Sequence, residues 1–177
     1  MLFRSLDAAK ASFRGCIFHR CFFPEEGFTR YDFLDCRFDG CDLAGKKFPG
    51  ISLVRASFVH CRCVGLTFDN GSLIDGYFED CQLSYANFSA ARLKRVAFQG
   101  CDLSHASFGE AQFTHVGFAD CRLSGAEFFR TKLSGIDLRS NQIDGIVLGD
   151  RSELIGAKVT AMQASELALL LGVVIED

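Results

Sequence analysis

The stretch Cys81-Gln82-Leu83-Ser84-Tyr85, Ala86-Asn87-Phe88-Ser89-Ala90, Ala91-Arg92-Leu93-Lys94-Arg95 falls into five-residue units. Each unit opens on a small residue and carries a large apolar one two places later. The phase extends both ways. Upstream stand Phe13, Phe18, Phe23, Phe28, Phe33, Phe38, Leu43, Phe48, Leu53, Phe58, Cys63, Phe68, Leu73 and Phe78. Downstream it continues through Phe98, Leu103, Phe108, Phe113, Phe118, Leu123, Phe128, Leu133, Leu138, Ile143 and Leu148. Sixteen of the 19 Phe lie on this one phase. Eight of the nine Cys lie two residues ahead of it, with Ala filling many of the other slots.

A period of five suits neither regular element. On an α-helix, five residues advance the chain by about 140° beyond a full turn, so the apolar stripe would spiral. On a straight strand an odd period alternates faces. Within one unit, however, the small and large residues are two apart and share a side. Each unit therefore reads as a short extended piece, and the two remaining residues turn the chain. Repeated turning in one sense gives a coil with Phe and Leu inside. Cys21, Cys41, Cys61, Cys81, Cys101 and Cys121 recur at every fourth unit, and Cys16 and Cys36 keep the same interval. Four units then make one coil, and the coil has four sides. Twenty-eight units predict about seven coils, stacked about 4.8 Å apart into a rod of about 34 Å. Backbone hydrogen bonds between coils would satisfy the peptide groups.

Composition narrows the function classes. The 177 residues carry a net charge of −3, against a general nucleic-acid binder that works by neutralising phosphate. No apolar run reaches the length of a membrane-spanning helix, so none is expected. The start shows no secretory signal. Nine Cys without such a signal point to reduced thiols and a cytoplasmic protein.

The units Ala86-Asn87-Phe88-Ser89-Ala90, Cys101-Asp102-Leu103-Ser104-His105 and Ala106-Ser107-Phe108-Gly109-Glu110 resemble the pentapeptide-repeat family, over about 11–150. The resemblance implies an all-β fold, a right-handed, four-sided parallel β-helix solenoid. Phe88, Leu93, Phe98, Leu103, Phe108, Cys81, Cys101 and Cys121 are its expected core.

Three features depart from the repeat. Glu26, Tyr31 and Lys46 occupy inward small positions in the region of Pro24 and Pro49. Glu26 and Lys46 are one coil apart, and either pair across adjacent coils or sit in a bulge that reaches water. Residues 1–10 precede the repeat as an N-terminal cap. After Leu148 the register slips, and Ala157-Lys158-Val159 reads as a last rung displaced by one residue. Within the C-terminal segment 151–177, Thr160 and Gln163 form a capping box for a helix over 161–171 that stops at Gly172. Ala164, Leu167, Leu170 and Leu171 would form its apolar stripe, and Val173-Val174-Ile175 a short strand. This tail covers the open end of the solenoid. Being more apolar than a cap needs, it is also expected to join two rods into a homodimer through Ala164, Leu167, Leu170, Leu171, Val173 and Ile175.

Gly156-Ala157-Lys158-Val159, Gln163-Ala164-Ser165 and Leu170 to Ile175 resemble the C-terminus of the Qnr-type quinolone-resistance proteins. That resemblance implies a dimer that binds DNA gyrase or topoisomerase IV, imitates DNA, and uses no cofactor. The uninterrupted repeat leaves no room for the projecting loops of the best-known Qnr members.

No catalytic set stands out. His19, His60, His105 and His115 are spread over outward or corner positions. Cys61-Arg62-Cys63, with Cys41 and Cys81, forms a linear ladder rather than the tetrahedral group a zinc site needs. The chain reads as a non-enzyme without metal. Function is then expected on the outer surface. One side carries Asp39, Glu79, Asp80, Asp120 and Asp137, with Asp35 and Asp75 at the preceding corner. Leu34, Val54 and Ile74, each one coil from the next, form an outward apolar ribbon followed by Arg92, Lys94 and Arg95. A duplex about 34 Å long carries about 20 phosphates, so this chain could imitate one side of DNA at most.

Overall fold

In the computed structural model, residues 11–23, 31–170 and 172–176 are described. The chain is an all-β, four-sided parallel solenoid. Its strands are β1 (Ala11–Arg14), β2 (Ile17–His19), β3 (Tyr31–Leu34), β4 (Arg37–Asp39), β5 (Ser52–Val54), β6 (Ser57–Val59), β7 (Ser72–Glu79), β8 (Arg92–Gln99) and β9 (Gln112–Ala119). All strand pairings are parallel and join positions one coil apart, as in Phe33 beside Leu53 and Phe38 beside Phe58. On one side β1, β3, β5, β7, β8 and β9 pair in succession. On the next, β2, β4, β6 and the second half of β7 do the same. The other two sides are held by isolated parallel bridges such as Arg62–Gln82 and Asn87–Ser107.

Strand pairing therefore extends over about five turns, fewer than the seven expected from the repeat count. Residues 24–30 of the first coil lie outside the described residues. Beyond Arg130, turns and bridges replace strands, and the register slips: Asp137 pairs with Lys158, one position past the regular interval. A 3₁₀ turn over Arg151–Leu154 absorbs the extra residue.

The lumen is solid with side chains. The expected core residues Phe88, Leu93, Phe98, Leu103, Phe108, Cys81, Cys101 and Cys121 are all buried. Phe38, Phe58, Phe78, Phe98 and Phe118 stack in one column with centroids 4.6 to 5.1 Å apart. Their planes lie within 9° of parallel, a coil-to-coil spacing at which offset aromatic pairs attract. At the two ends Phe13 and Leu148 are only half-buried, and so is Phe113.

The cysteine column has a structural cause. At most corners the chain closes a turn with its own backbone, as Ala86 N–H does by donating to Leu83 O at 3.0 Å. Among the described residues, the corners after Phe38, Phe58, Phe98 and Phe118 make no such bond. There a side chain of the next coil takes over. Cys61, Cys81 and Cys121 donate their thiols to Phe38, Phe58 and Phe98 O at 3.4 Å each, and Cys41 donates likewise to Phe18 O at 3.1 Å. The Cys61 N–H in turn donates to Cys81 Sγ. At the end of the column Asn141 does the same with an amide: its Nδ2 donates to Phe118 O (3.0 Å) and its Oδ1 accepts from Cys121 N–H (2.9 Å). An unmet buried carbonyl or amide costs about 1–3 kcal/mol, which alanine in these slots would not prevent. Burial pushes the Cys36 thiol up, and contact with neighbouring thiols together with burial does the same to Cys41, Cys81 and Cys121.

Helix α1 (Ala161–Leu170) caps the end. Thr160 and Gln163 form the capping box, at 2.9 and 3.2 Å. The buried face differs from the expected stripe. Leu167 and the Gln163 amide are buried, whereas Ala164 and Leu170 are exposed, and Leu171 lies outside the described residues. Gln163 Nε2 donates to Leu138 O and Asn141 O, so a polar side chain docks the helix on backbone carbonyls of the last coil. Val173–Ile175 form no strand, because no neighbouring edge pairs with them, and all three are exposed. The expected cap 1–10 and Glu26 lie outside the described residues. Tyr31 packs against Phe13, and Lys46 is half-buried.

Candidate partner-binding surface

The corner after the β1–β3–β5 side stacks alternating charges. Asp35 and Arg55 form a two-pronged ion pair one coil apart, with Nη2 to Oδ2 at 2.9 Å, and Asp75 and Arg95 repeat it at 2.7 Å. The arginine hydrogen bonds hold both carboxyls below the usual range. All four residues adopt left-handed backbone, φ between 50° and 56°.

The expected acidic side is less bare than its sequence. Asp39 pairs with Arg37 at 3.1 Å, Asp80 approaches His60 at 3.6 Å, and Asp137 pairs with Arg139 at 2.6 Å. The Arg139 contact lowers Asp137 to about 2. Asp120 accepts from the Gln99 amide at 2.9 Å. Among the described residues Glu79 and Asp120 enter no ion pair. These acids share a side, but only part of their charge is unopposed.

Leu34, Val54 and Ile74 do come together. They are register partners on β3, β5 and β7, half-buried, with Lys94 and then Thr114 following in the same column. Among the described residues no group of three His, Cys, Asp or Glu converges on a metal position. Among the same residues, no helix is long and apolar enough to cross a membrane.

Two features were missed by sequence reasoning. Glu153 is buried, and its carboxylate accepts from the N–H groups of Gly149 (2.6 Å), Asp150 and Arg130, plugging the end of the lumen. Its spacing from Asp150, a capping box, was the available signal. Tyr85 and His105 stack at 5.0 Å on a corner that, among the described residues, is otherwise made of Gly45, Gly65, Gly125 and Gly145. The C-terminal end is apolar and open. Met162 and Val174 are 74% and 79% exposed, beside Ile155, Leu169, Leu170, Val173 and Ile175.

No curated protein sequence matches the chain. Among solved structures, a trypsin-treated form of QnrB1, a plasmid-mediated fluoroquinolone resistance protein, is 21% identical over 93% of this chain and 99% of its own, with a TM-score of 0.49. HetL, a pentapeptide repeat protein involved in heterocyst differentiation regulation from the cyanobacterium Nostoc, is 17% identical over 85% of this chain and 73% of its own, with a TM-score of 0.47. A pentapeptide repeat protein from the Arabidopsis thaliana thylakoid lumen is 21% identical over 70% and 72%, with a TM-score of 0.42. A family model described as the pentapeptide repeat region matches residues 31–98 and 72–148, the same units whose Phe and Leu fill the lumen, and the chain belongs to the pentapeptide repeat family.

Proposed function

We propose that this protein is a non-enzymatic cytoplasmic rod that binds a type II topoisomerase, DNA gyrase or topoisomerase IV, as a homodimer, and so limits quinolone poisoning. The observation that carries the reading is the row of acids on one side of a densely packed rod, with Glu79 and Asp120 outside any ion pair among the described residues. A rod with one acidic side competes for a basic saddle by shape and local field, not by matching the full charge of DNA. The Qnr-like tail sequence supports the same partner. The exposed apolar C-terminal end supports the dimer, since patches of this kind mark interfaces. Reversing the charge of Asp39, Glu79, Asp80 and Asp120 together weakens topoisomerase binding and abolishes protection in a supercoiling assay with a fluoroquinolone. Unchanged binding by that variant overturns the reading.

The Leu34–Val54–Ile74 ribbon favours a second reading, a scaffold for an unrelated protein.

A further inference from the structure

The side of the rod built from β3, β5, β7 and β8 presents a graded strip. Leu34, Val54 and Ile74 stack in register, and the next coil places Arg92 and Lys94 beside them. Neither Arg92 nor Lys94 enters an ion pair among the described residues, whereas Arg37, Arg55, Arg62, Arg95, Arg122, Arg130 and Arg139 all do. One margin of the strip is lined by the small hydroxyls Ser52 and Ser72. The other is the self-neutralised Asp35–Arg55 and Asp75–Arg95 corner. Asp32, at the apolar end, is the register partner of Ser52.

The strip has the repeat of an α-helix. Successive coils are about 4.8 Å apart and successive helical turns about 5.4 Å, so from Leu34 to Lys94 the two rulers diverge by only about 2 Å. A helix along the rod axis would place apolar residues i, i+3 and i+7 on Leu34, Val54 and Ile74. Residues i+10 and i+11 would then lie over Arg92 and Lys94, where carboxylates are favoured, with i+14 about one turn further along. At the opposite end Arg14, the register partner of Leu34, is offset by Asp32, so the net positive charge of the strip lies at Arg92 and Lys94 and sets the direction.

We propose that this side docks a partner's amphipathic α-helix whose first half is apolar on one face and whose second half is acidic, lying parallel to the rod. The partner is defined by that chemistry, independently of topoisomerase binding. The full chain is titrated, by fluorescence anisotropy at low salt, with a labelled synthetic helix of about 18 residues carrying Leu at i, i+3 and i+7 and Glu at i+10, i+11 and i+14. The wild type binds it. The exposed double variant Arg92→Glu with Lys94→Glu, which keeps the wild-type melting temperature, loses at least about tenfold in affinity, the effect of removing two close charge pairs. The same variant regains binding to a peptide with Lys in place of the three Glu. Val54→Asp abolishes binding of both peptides. No binding by the wild type, equal binding of a scrambled peptide, or indifference to the Arg92/Lys94 reversal each overturns the proposal.

Discussion

Among the described residues from Gly15 to Gly135, every fifth one turns the chain through left-handed backbone, and many of these residues are not glycine. Ala90 sits there with φ 54°, Tyr85 with φ 60° and Glu110 with φ 59°. A side chain in that region costs about 1–2 kcal/mol, which the coil-to-coil ion pairs of Asp35–Arg55, Asp75–Arg95 and Glu110–Arg130 partly offset. The Ala90 methyl can form no such pair. Ala90→Gly is expected to stabilise the rod by about 0.5–1 kcal/mol, the steric relief less the entropy of glycine. A denaturation midpoint that stays or falls would contradict this. Gly100 is the opposite case: a Cβ there would run into the Asp80 carboxylate, on top of its φ of 62°. The acids also set the response to pH. A carboxyl held low in the folded state adds stability that is complete above its unfolded value, about 4, and is lost as pH falls through the folded value. For Asp137 that folded value is about 2, so the melting temperature should drop as the solution is acidified from the ordinary carboxylate range towards it. Asp137→Asn should flatten part of that drop, and a profile identical to wild type would remove the Arg139 pair from the account.

At the scale of elements, polar side chains finish what the repeat leaves open. Asn141 bridges the corner after Phe118, and Gln163 on α1 caps the carbonyls of Leu138 and Asn141. Asn141→Ala leaves Phe118 O and Cys121 N–H without those partners and is expected to cost about 2–3 kcal/mol in a urea titration. Asn141→Thr, which keeps one donor and one acceptor, should recover most of it, and equal losses for both would sink the bridging role. The coil itself was legible, because one Phe or Leu in five admits no other winding. The tail was legible only in part. The capping box at Thr160 was readable, but the buried face of α1 was not. Helical spacing alone favoured Ala164 and Leu170, whereas the end of a solenoid presents bare carbonyls that attract Gln163. The same blindness hid Glu153, since a buried carboxylate contradicts any hydropathy reading until its three N–H donors are known. The expected strand at Val173–Ile175 failed because β-branched residues pair only where an edge is offered. On the surface, the positions of Asp35 and Asp75 were legible, but their neutralisation was missed, although Arg55 and Arg95 each follow one coil later.

The whole molecule is a stack in which each coil touches only its neighbours, so its stability is close to a sum of coil and interface contributions. Its blunt end is the exception, with Leu169, Leu170, Val173 and Val174 exposed on and after α1. Light scattering is expected to give a wild-type mass twice the 19.5 kDa of a single chain. Leu169→Lys combined with Val174→Lys should return the single-chain mass without changing the circular dichroism. A wild type that is already one chain, or a variant that remains two, removes the end-to-end dimer. The thiol bridges give the stack a direction in time as well as in space. Because the closing groups for the corners after Phe38, Phe58, Phe98 and Phe118 come from the following coil, each of those corners stays unfinished until the next coil leaves the ribosome. A chain cut short between Phe38 and Asn141 therefore leaves one of these corners unsealed, and only synthesis through Asn141 completes the column.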